Sequence, residues 1–179
     1  MVKESTMNHW YMLTVVGEDR SGIVAHLTHA LYEGGCNLGE ASMMRLGGNF
    51  SIMLMVQTEA SKHTLESLIE PVVDSLGLHA HIDKIKGRLH EHHIPDTRIH
   101  VYGADRAGII SQVVGALTEA GLNITDLESD VCGTEDLPIY VMIIEGHAAE
   151  GIKALRSALD IVANNGVDAR IEEIETMIG

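Results

Sequence analysis

Two stretches of this chain combine residue types and spacing that suggest chemistry: Gly17-Glu18-Asp19-Arg20-Ser21-Gly22-Ile23-Val24 and Gly103-Ala104-Asp105-Arg106-Ala107-Gly108-Ile109-Ile110. Five of the eight positions are identical, and the copies lie 86 residues apart. Each copy follows a strand-like run and opens a helix-like run. A strand that ends in Gly and passes into a helix start leaves backbone N–H groups without helical partners. Those donors, with the positive end of the helix, suit a carboxylate or a phosphate. Asp19 or Ser21 is placed to cap the first helix, and Asp105 the second. Gly22 and Gly108 let a ligand or another backbone come close. The competing reading is a capped, tightly packed turn without a ligand. Duplication shows that the loop belongs to the repeated unit; it does not by itself establish binding.

Other candidate chemistry is thinner. Of eleven histidines, His90, His92 and His93 stand beside Glu91, a set of zinc- or nickel-type ligands. The zincin pattern would need histidine at Ile94, so it fails. His79 and His81, two apart on an expected strand, point to one face. The simpler reading is a solvated linker and strand. There is no Gly-x-Ser-x-Gly elbow and no phosphate loop ending in Gly-Lys-Ser/Thr. Asp19 and Asp105 as an acid–base couple is less economical than capping. No catalytic residue, cofactor or resident metal is therefore expected, and the protein is not expected to be an enzyme. Met43, Met44, Met53 and Met55 read as core fillers, or as a partner face if exposed.

The elements that position the loops come twice. Leu31 to Leu38 lies over Leu117 to Ile124 at the same offset. The offset then becomes 89, with Phe50 to Val56 over Ile139 to Glu145 and Gly77 to Ile82 over Gly166 to Ile171. A small insertion near Gly133 to Pro138 accounts for the change. One unit used twice decides the architecture. Trp10 to Val16 reads as a central strand, followed by a helix from Gly22 to Glu33 with Ile23, Leu27, Ala30 and Leu31 on one face. Strands over 37–46 and 50–58 flank a Gly47-Gly48-Asn49 turn. A helix over 61–76 carries Pro71, which predicts a kink or a shortened first half. A strand over 78–88 completes the unit. The second copy has strands near 97–103, 122–132, 139–146 and 168–177, and helices near 108–120 and 148–164.

Strand, helix, strand, strand, helix, strand is the split βαβ, or ferredoxin-like, order. The expected class is α+β: two tandem ferredoxin-like domains, each an antiparallel sheet with helices on one face. The expected boundaries are a disordered lead-in at 1–8, a first domain at 9–88, a linker at 89–96 and a second domain at 97–179. The edges of small sheets need covering, so the two halves, or two chains as a homodimer, are expected to pair side by side with the loops near the seam.

Composition excludes some classes of function. The net charge is −14, from 12 Lys and Arg against 26 Asp and Glu. Such a chain is repelled by nucleic acid and by anionic membranes, whose recognition depends on basic residues. The cluster Lys84, Lys86, Arg88 reads as a solvated strand end. Cys36 and Cys132 occupy unmatched repeat positions and suggest free thiols in a reducing compartment. With no signal sequence and no run long enough to cross a bilayer, a soluble cytoplasmic protein is expected.

Strand, then Gly-x-Asp-Arg-x-Gly-Ile-Val/Ile, then an apolar helix, then Gly-x-Asn-Leu/Ile resembles the ACT domain. Here it runs from Gly17 to Val24 with Gly35-Cys36-Asn37-Leu38, and from Gly103 to Ile110 with Gly121-Leu122-Asn123-Ile124. A tandem pair of this length is similar to the glycine cleavage system transcriptional repressor family. The resemblance implies small-ligand sites, typically for amino acids and perhaps for glycine, where ACT domains pair. It places them at Asp19, Arg20, Ser21, Gly22, Ile23 and Asn37, and at Asp105, Arg106, Ala107, Gly108, Ile109 and Asn123. It also implies regulation of transcription through contact with a LysR-type activator rather than with DNA, which agrees with the acidic charge. The alternatives are an ACT-based oligomerisation or interaction module without ligand, and a metal-binding protein using the His-rich linker.

Overall fold

The computed structural model describes residues 8–86, 94–104, 108–134, 137–163 and 166–174. The chain divides into two compact units, Met1–Glu91 and His92–Gly179. The first contains β1 (His9–Glu18), α1 (Ile23–Glu33), β2 (Asn37–Leu46), β3 (Asn49–Thr58), α2 (Lys62–Leu76) and β4 (His79–Ile85). The second contains β5 (Thr97–Ala104), α3 (Ile109–Glu119), β6 (Leu122–Thr134), β7 (Leu137–Ala148), α4 (Ile152–Ala163) and β8 (Val167–Glu173). The sheets run β2-β3-β1-β4 and β6-β7-β5-β8, with antiparallel pairings throughout. Each unit is thus a ferredoxin-like α+β domain, as the element order predicts.

The residue pattern explains why these elements form. Along β1, Tyr11, Leu13 and Val15 are buried at a spacing of two, which turns them to the helix side of the sheet. Along α1, Ile23, Leu27 and Leu31 recur every fourth residue and meet them. Leu65 and Ile69 of α2 close the core from the same side. Pro71 lies inside α2 but does not shorten it; the helix continues to Leu76. Ser61 caps it, its Oγ accepting from Thr64 N–H at 3.1 Å. Gly47 and Gly48, with φ of 56° and 77°, make the two-residue turn that brings β3 back along β2.

The repeat is offset differently from the sequence reading in one place. Gly17 pairs with Phe50, and its counterpart Gly103 pairs with Tyr140. Phe50 therefore corresponds to Tyr140, not to Ile139, and the offset across β3 and β7 is 90. A slip of one residue would turn every side chain to the other face. The burial agrees: Phe50 and Tyr140 are buried, whereas Ile139 is exposed. The insertion is four residues long and extends the β6–β7 hairpin to Thr134 and Leu137 beyond the pair Cys132–Ile139, which matches Leu46–Asn49. One residue is lost again before β8, where Leu78 and Val167 correspond at the expected 89.

The second unit is tied together at Asp96. Its Oδ1 accepts from Ala148 N–H and from the Thr97 hydroxyl, both at 2.9 Å. Its Oδ2 lies 2.7 Å from His147 Nδ1. Its backbone N–H donates to Gly146 O, and its carbonyl accepts from Ile174 N–H. Partial burial opposes ionisation, but the Ala148 and Thr97 hydrogen bonds and the His147 imidazole outweigh it, so the carboxyl sits below its ordinary 3.8. A depressed carboxyl contributes its stability in full above the unfolded value and loses it as pH falls through the folded value. Asp96→Asn is accordingly expected to destabilise the second unit by about 1 kcal/mol at pH 7. That deficit should shrink below pH 3.8, as urea unfolding at pH 7 and pH 3 would measure.

Candidate functional site

The connection from β1 to α1 is held from two sides. Asp19 N–H donates to Gly48 O at 3.0 Å, which fastens it to the tip of the β2–β3 hairpin. At the other side Gly22 is the N-cap residue of α1, with φ 90°. The expectation that Asp19 or Ser21 caps this helix is not met. Gly22 takes the cap position in the left-handed region, and the Asp19 carboxylate is drawn instead to the guanidinium of Arg45. The positive φ favours glycine, and a Cβ there would also crowd the His26 ring at 3.1 Å. That ring is anchored by its Nδ1, 2.7 Å from Gly22 O. The first helical bond is His26 N–H to the same carbonyl at 3.0 Å. The N–H groups of Ile23, Val24 and Ala25 precede it and have no partner in the helical ladder.

These donors border an open cleft of about 520 Å³. Its walls are the segment from Asp19 to Ala25, with Met43 and Arg45 from β2 and Phe50 from β3. Two guanidinium groups lie there, each with a carboxylate. Arg45 holds Asp19, whose side chain is 24% exposed against 67% for the arginine. Arg20 reaches Glu18 at 2.6 Å. A guanidinium has five N–H donors, so one carboxylate leaves Arg45 with donors to spare. The cleft offers cationic and backbone donors, one acceptor carboxylate and apolar walls. That set suits binding of a small charged molecule.

The structure thus brings Asp19, Arg20, Ser21, Gly22 and Ile23 together. Asn37 stands elsewhere. It opens β2 opposite Gln57, at the far end of α1, and the eleven residues of that helix span about 16 Å. In the second unit Gly108 is the N-cap of α3, with φ 87°, and Ile109 is buried beneath it. Asp105, Arg106 and Ala107 lie outside the described residues. Asn123 pairs with His147 at the start of β6. Arg45 pairs with Phe50, and in the second unit Val131 pairs with Tyr140. An apolar residue therefore stands where the first unit has its arginine. The Tyr140 hydroxyl is buried without a hydrogen-bond partner among the described residues.

Arg45, Met43 and Phe50 are the cleft residues from beyond the loop and helix start that sequence reasoning missed. Their signal is the Gly47-Gly48 turn. It folds the end of β2 back against the end of β1, so the last charged residue before the turn must lie beside the loop.

The histidines fare differently. His90, His92, His93 and Glu91 lie outside the described residues. His79 and His81 are exposed on β4, opposite Val16 and Thr14, and His81 Nε2 lies 3.0 Å from Asp83. Among the described residues no three His, Cys, Asp or Glu side chains group so as to hold a metal. Cys36 is buried and Cys132 exposed, and both are free thiols. Met43, Met44 and Met53 are exposed, whereas Met55 is buried. Among the described residues no helix is long and apolar enough to cross a membrane.

Comparison with known proteins gives these shapes a context. The family model of the ACT domain matches residues 9–83. The UPF0237 protein YjhC of Lactococcus lactis subsp. lactis (strain IL1403) is 33% identical over 72 residues, which make up 40% of this chain and 83% of that protein. A protein of known crystal structure from Galdieria sulphuraria matches with a TM-score of 0.76 at 24% identity, over 94% of this chain and 100% of that one. The structure of a candidate glycine cleavage system transcriptional repressor matches with a TM-score of 0.69 at 16% identity, over 95% of this chain and 99% of that one. At these identities the two structures speak for the fold, and they extend the likeness through both units.

Proposed function

We propose that this chain, which belongs to the ACT-domain family, is a non-enzymatic regulatory protein whose first unit senses a small amino acid. One observation carries the reading. The free N–H groups at the start of α1 and the Asp19–Arg45 pair converge on one cleft. A zwitterion replaces such an ion pair without leaving a charge uncompensated. Its carboxylate takes Arg45 and the N–H groups of Ile23 to Ala25, and its ammonium takes Asp19. Apolar walls at Met43 and Phe50 favour glycine or another small side chain. Arg20, Ser21 and Gly22 shape the loop. Asn37 would join such a site from a second copy of the chain, whose β2 edge laid antiparallel would bring that asparagine to the loop. The loop at Asp105, Arg106, Ala107, Gly108 and Ile109, with Asn123, is the weaker counterpart, because Val131 replaces the arginine.

The output we propose is contact with a DNA-binding activator of the LysR type. A net charge of −14, which disfavours direct contact with DNA, supports an output through a protein, and the likeness to a candidate glycine cleavage system transcriptional repressor supports a role in transcription. A ligand acts on that contact only through a difference in affinity between two states, typically about 1–3 kcal/mol.

A second reading has its own observation. The charge of Arg45 is already paired by Asp19, as it would be in an interaction module that binds no ligand. Isothermal titration of the whole metal-free protein with glycine, serine and then larger amino acids separates the two. Saturable heat at about one site per chain is expected, lost in Asp19→Ala. A folded protein that gives no heat with any amino acid would leave the interaction module standing.

A further inference from the structure

The sheet of each unit has a second side, turned away from its helices. In the first unit Tyr11, Leu13 and Val15 face α1 and α2, so Met12, Thr14 and Val16 face the other way. Cross-strand pairing puts Met55, Met53 and Ser51 of β3 beside them, and Ser42 and Met44 of β2 beyond. This side is apolar at its centre and open: Val16 is 44% exposed, Met53 46% and Met44 61%. Trp10 covers one end, its ring seated so close over Gly39 that a Cβ there would lie 2.9 Å from it. The acids stand at the rim. Glu18 holds Arg20 at 2.6 Å, Asp83 lies 3.0 Å from His81, and Glu40 belongs to the bulge of the edge strand β2.

The same side of the second unit is built differently. Met12 and Met55, a cross-strand pair, correspond to Arg98 and Glu145, an ion pair at 2.7 Å. Ser42 and Met44 correspond to Glu128 and Asp130, and His81 and Asp83 to Arg170 and Glu172. At the centre Ile143 stands where Met53 stands. One copy of the repeat therefore has the solvated face that antiparallel sheets commonly carry. The other keeps its centre free of charge, in a chain of net charge −14.

We propose that the first-unit sheets of two copies pack open face to open face across a two-fold axis, with Met12, Val16, Met44 and Met53 between them. Charge selects the occupant. A face with an uncharged centre matches a surface that is itself uncharged. Set against the second unit's face it would bury Glu128, Asp130 and Arg170 at a cost in desolvation. Nucleic acid or an anionic membrane would find no cation at its centre. The same face on a second copy meets the condition, and flexible thioether side chains interdigitate readily. The area agrees. Four strands about 4.8 Å apart and about eight residues long offer roughly 500 Å² in projection. Side-chain relief brings this towards the roughly 600–1,000 Å² per partner of stable interfaces. The contact is isologous, so it closes at two copies and leaves no such face free. It uses the flat of the sheet rather than the β2 edge, and none of Asp19 to Ile23 or Arg45, so its failure would leave the sensor reading untouched.

The test is sedimentation of the full chain and three variants. Wild type is expected to sediment as a dimer or larger, and to tighten rather than dissociate as salt screens the negative charge of the two copies. Met53→Asp brings two carboxylates together at the centre of the contact. Met44→Asp gives β2 the residue that β6 carries at the same place, where the fold accepts it. Each of these variants, shown folded by circular dichroism, is expected to sediment at half the wild-type mass, its self-affinity down at least about tenfold. Ile143→Asp, the matching change in the second unit, is expected to keep the wild-type mass. A monomeric wild type, Met53→Asp and Met44→Asp proteins that assemble as wild type does, or an Ile143→Asp protein that dissociates equally would each overturn the proposal.

Discussion

Arg45→Ala is expected to lower the affinity for the amino acid by roughly 10- to 100-fold, the cost of losing a charge-assisted hydrogen bond in a semi-enclosed site. Stability should change little, because the Asp19–Arg45 pair is exposed on the arginine side and such pairs contribute at most about 1 kcal/mol. Arg45→Lys keeps the charge but loses the fork that fits a carboxylate. It should therefore fall between wild type and alanine. Titration calorimetry of the three proteins, with urea unfolding alongside, checks both halves of the statement. The sign of one comparison is diagnostic. If Asp19 receives the ammonium group, acetate and propionate should bind more weakly than glycine. If Asp19 only occupies Arg45, removing it should strengthen them. Affinities unchanged in Arg45→Ala would remove this cleft from the account.

The second large effect concerns Gly146. A Cβ there would lie 2.5 Å from Asn123 O and 3.2 Å from Asn123 C, both backbone atoms that cannot swing aside. The close approach arises at the β6 bulge, where the pairing shifts between Ile124 and Asp126. Val56 occupies the matching place in the first unit, where the β2 shift also begins at the equivalent residue, Leu38. Gly146→Ala is expected to cost the second unit about 2–4 kcal/mol, a drop in its melting temperature of roughly 10 °C or more. Trp10, the one tryptophan of the chain, lies in β1. Its fluorescence reports the first unit, whereas far-ultraviolet dichroism reports both. The dichroism transition should move and the fluorescence transition should stay.

The fold was legible because each unit states it twice over, in burial pattern and in punctuation. The spacing of Ile23, Leu27 and Leu31 and the alternation of Tyr11, Leu13 and Val15 each admit one secondary structure. The cleft was legible only along the chain. Asp19 to Ile23 are neighbours in sequence, so the loop could be read. Arg45 comes from 26 residues away and is identified only when the hairpin is folded back. Capping by Asp19 was a sound local inference, overruled by a long-range partner that local rules do not include. The slip at Phe50 had a similar cause. Ile139 and Tyr140 are both apolar enough for a core, and only the cross-strand register decides between them.

The order of the strands bears on how the protein is made. In each sheet the first strand of the unit lies at the centre, between the third and the last. A ribosome releases β1 long before β4, so β1 must wait with one side unpaired until about 70 further residues have emerged. Contacts of that separation slow folding, since a long loop must close before any pairing rewards it. Division into two units confines the wait. The first can close on β4 while the second is still unsynthesised, and no strand of either sheet has to search the whole chain for its neighbour.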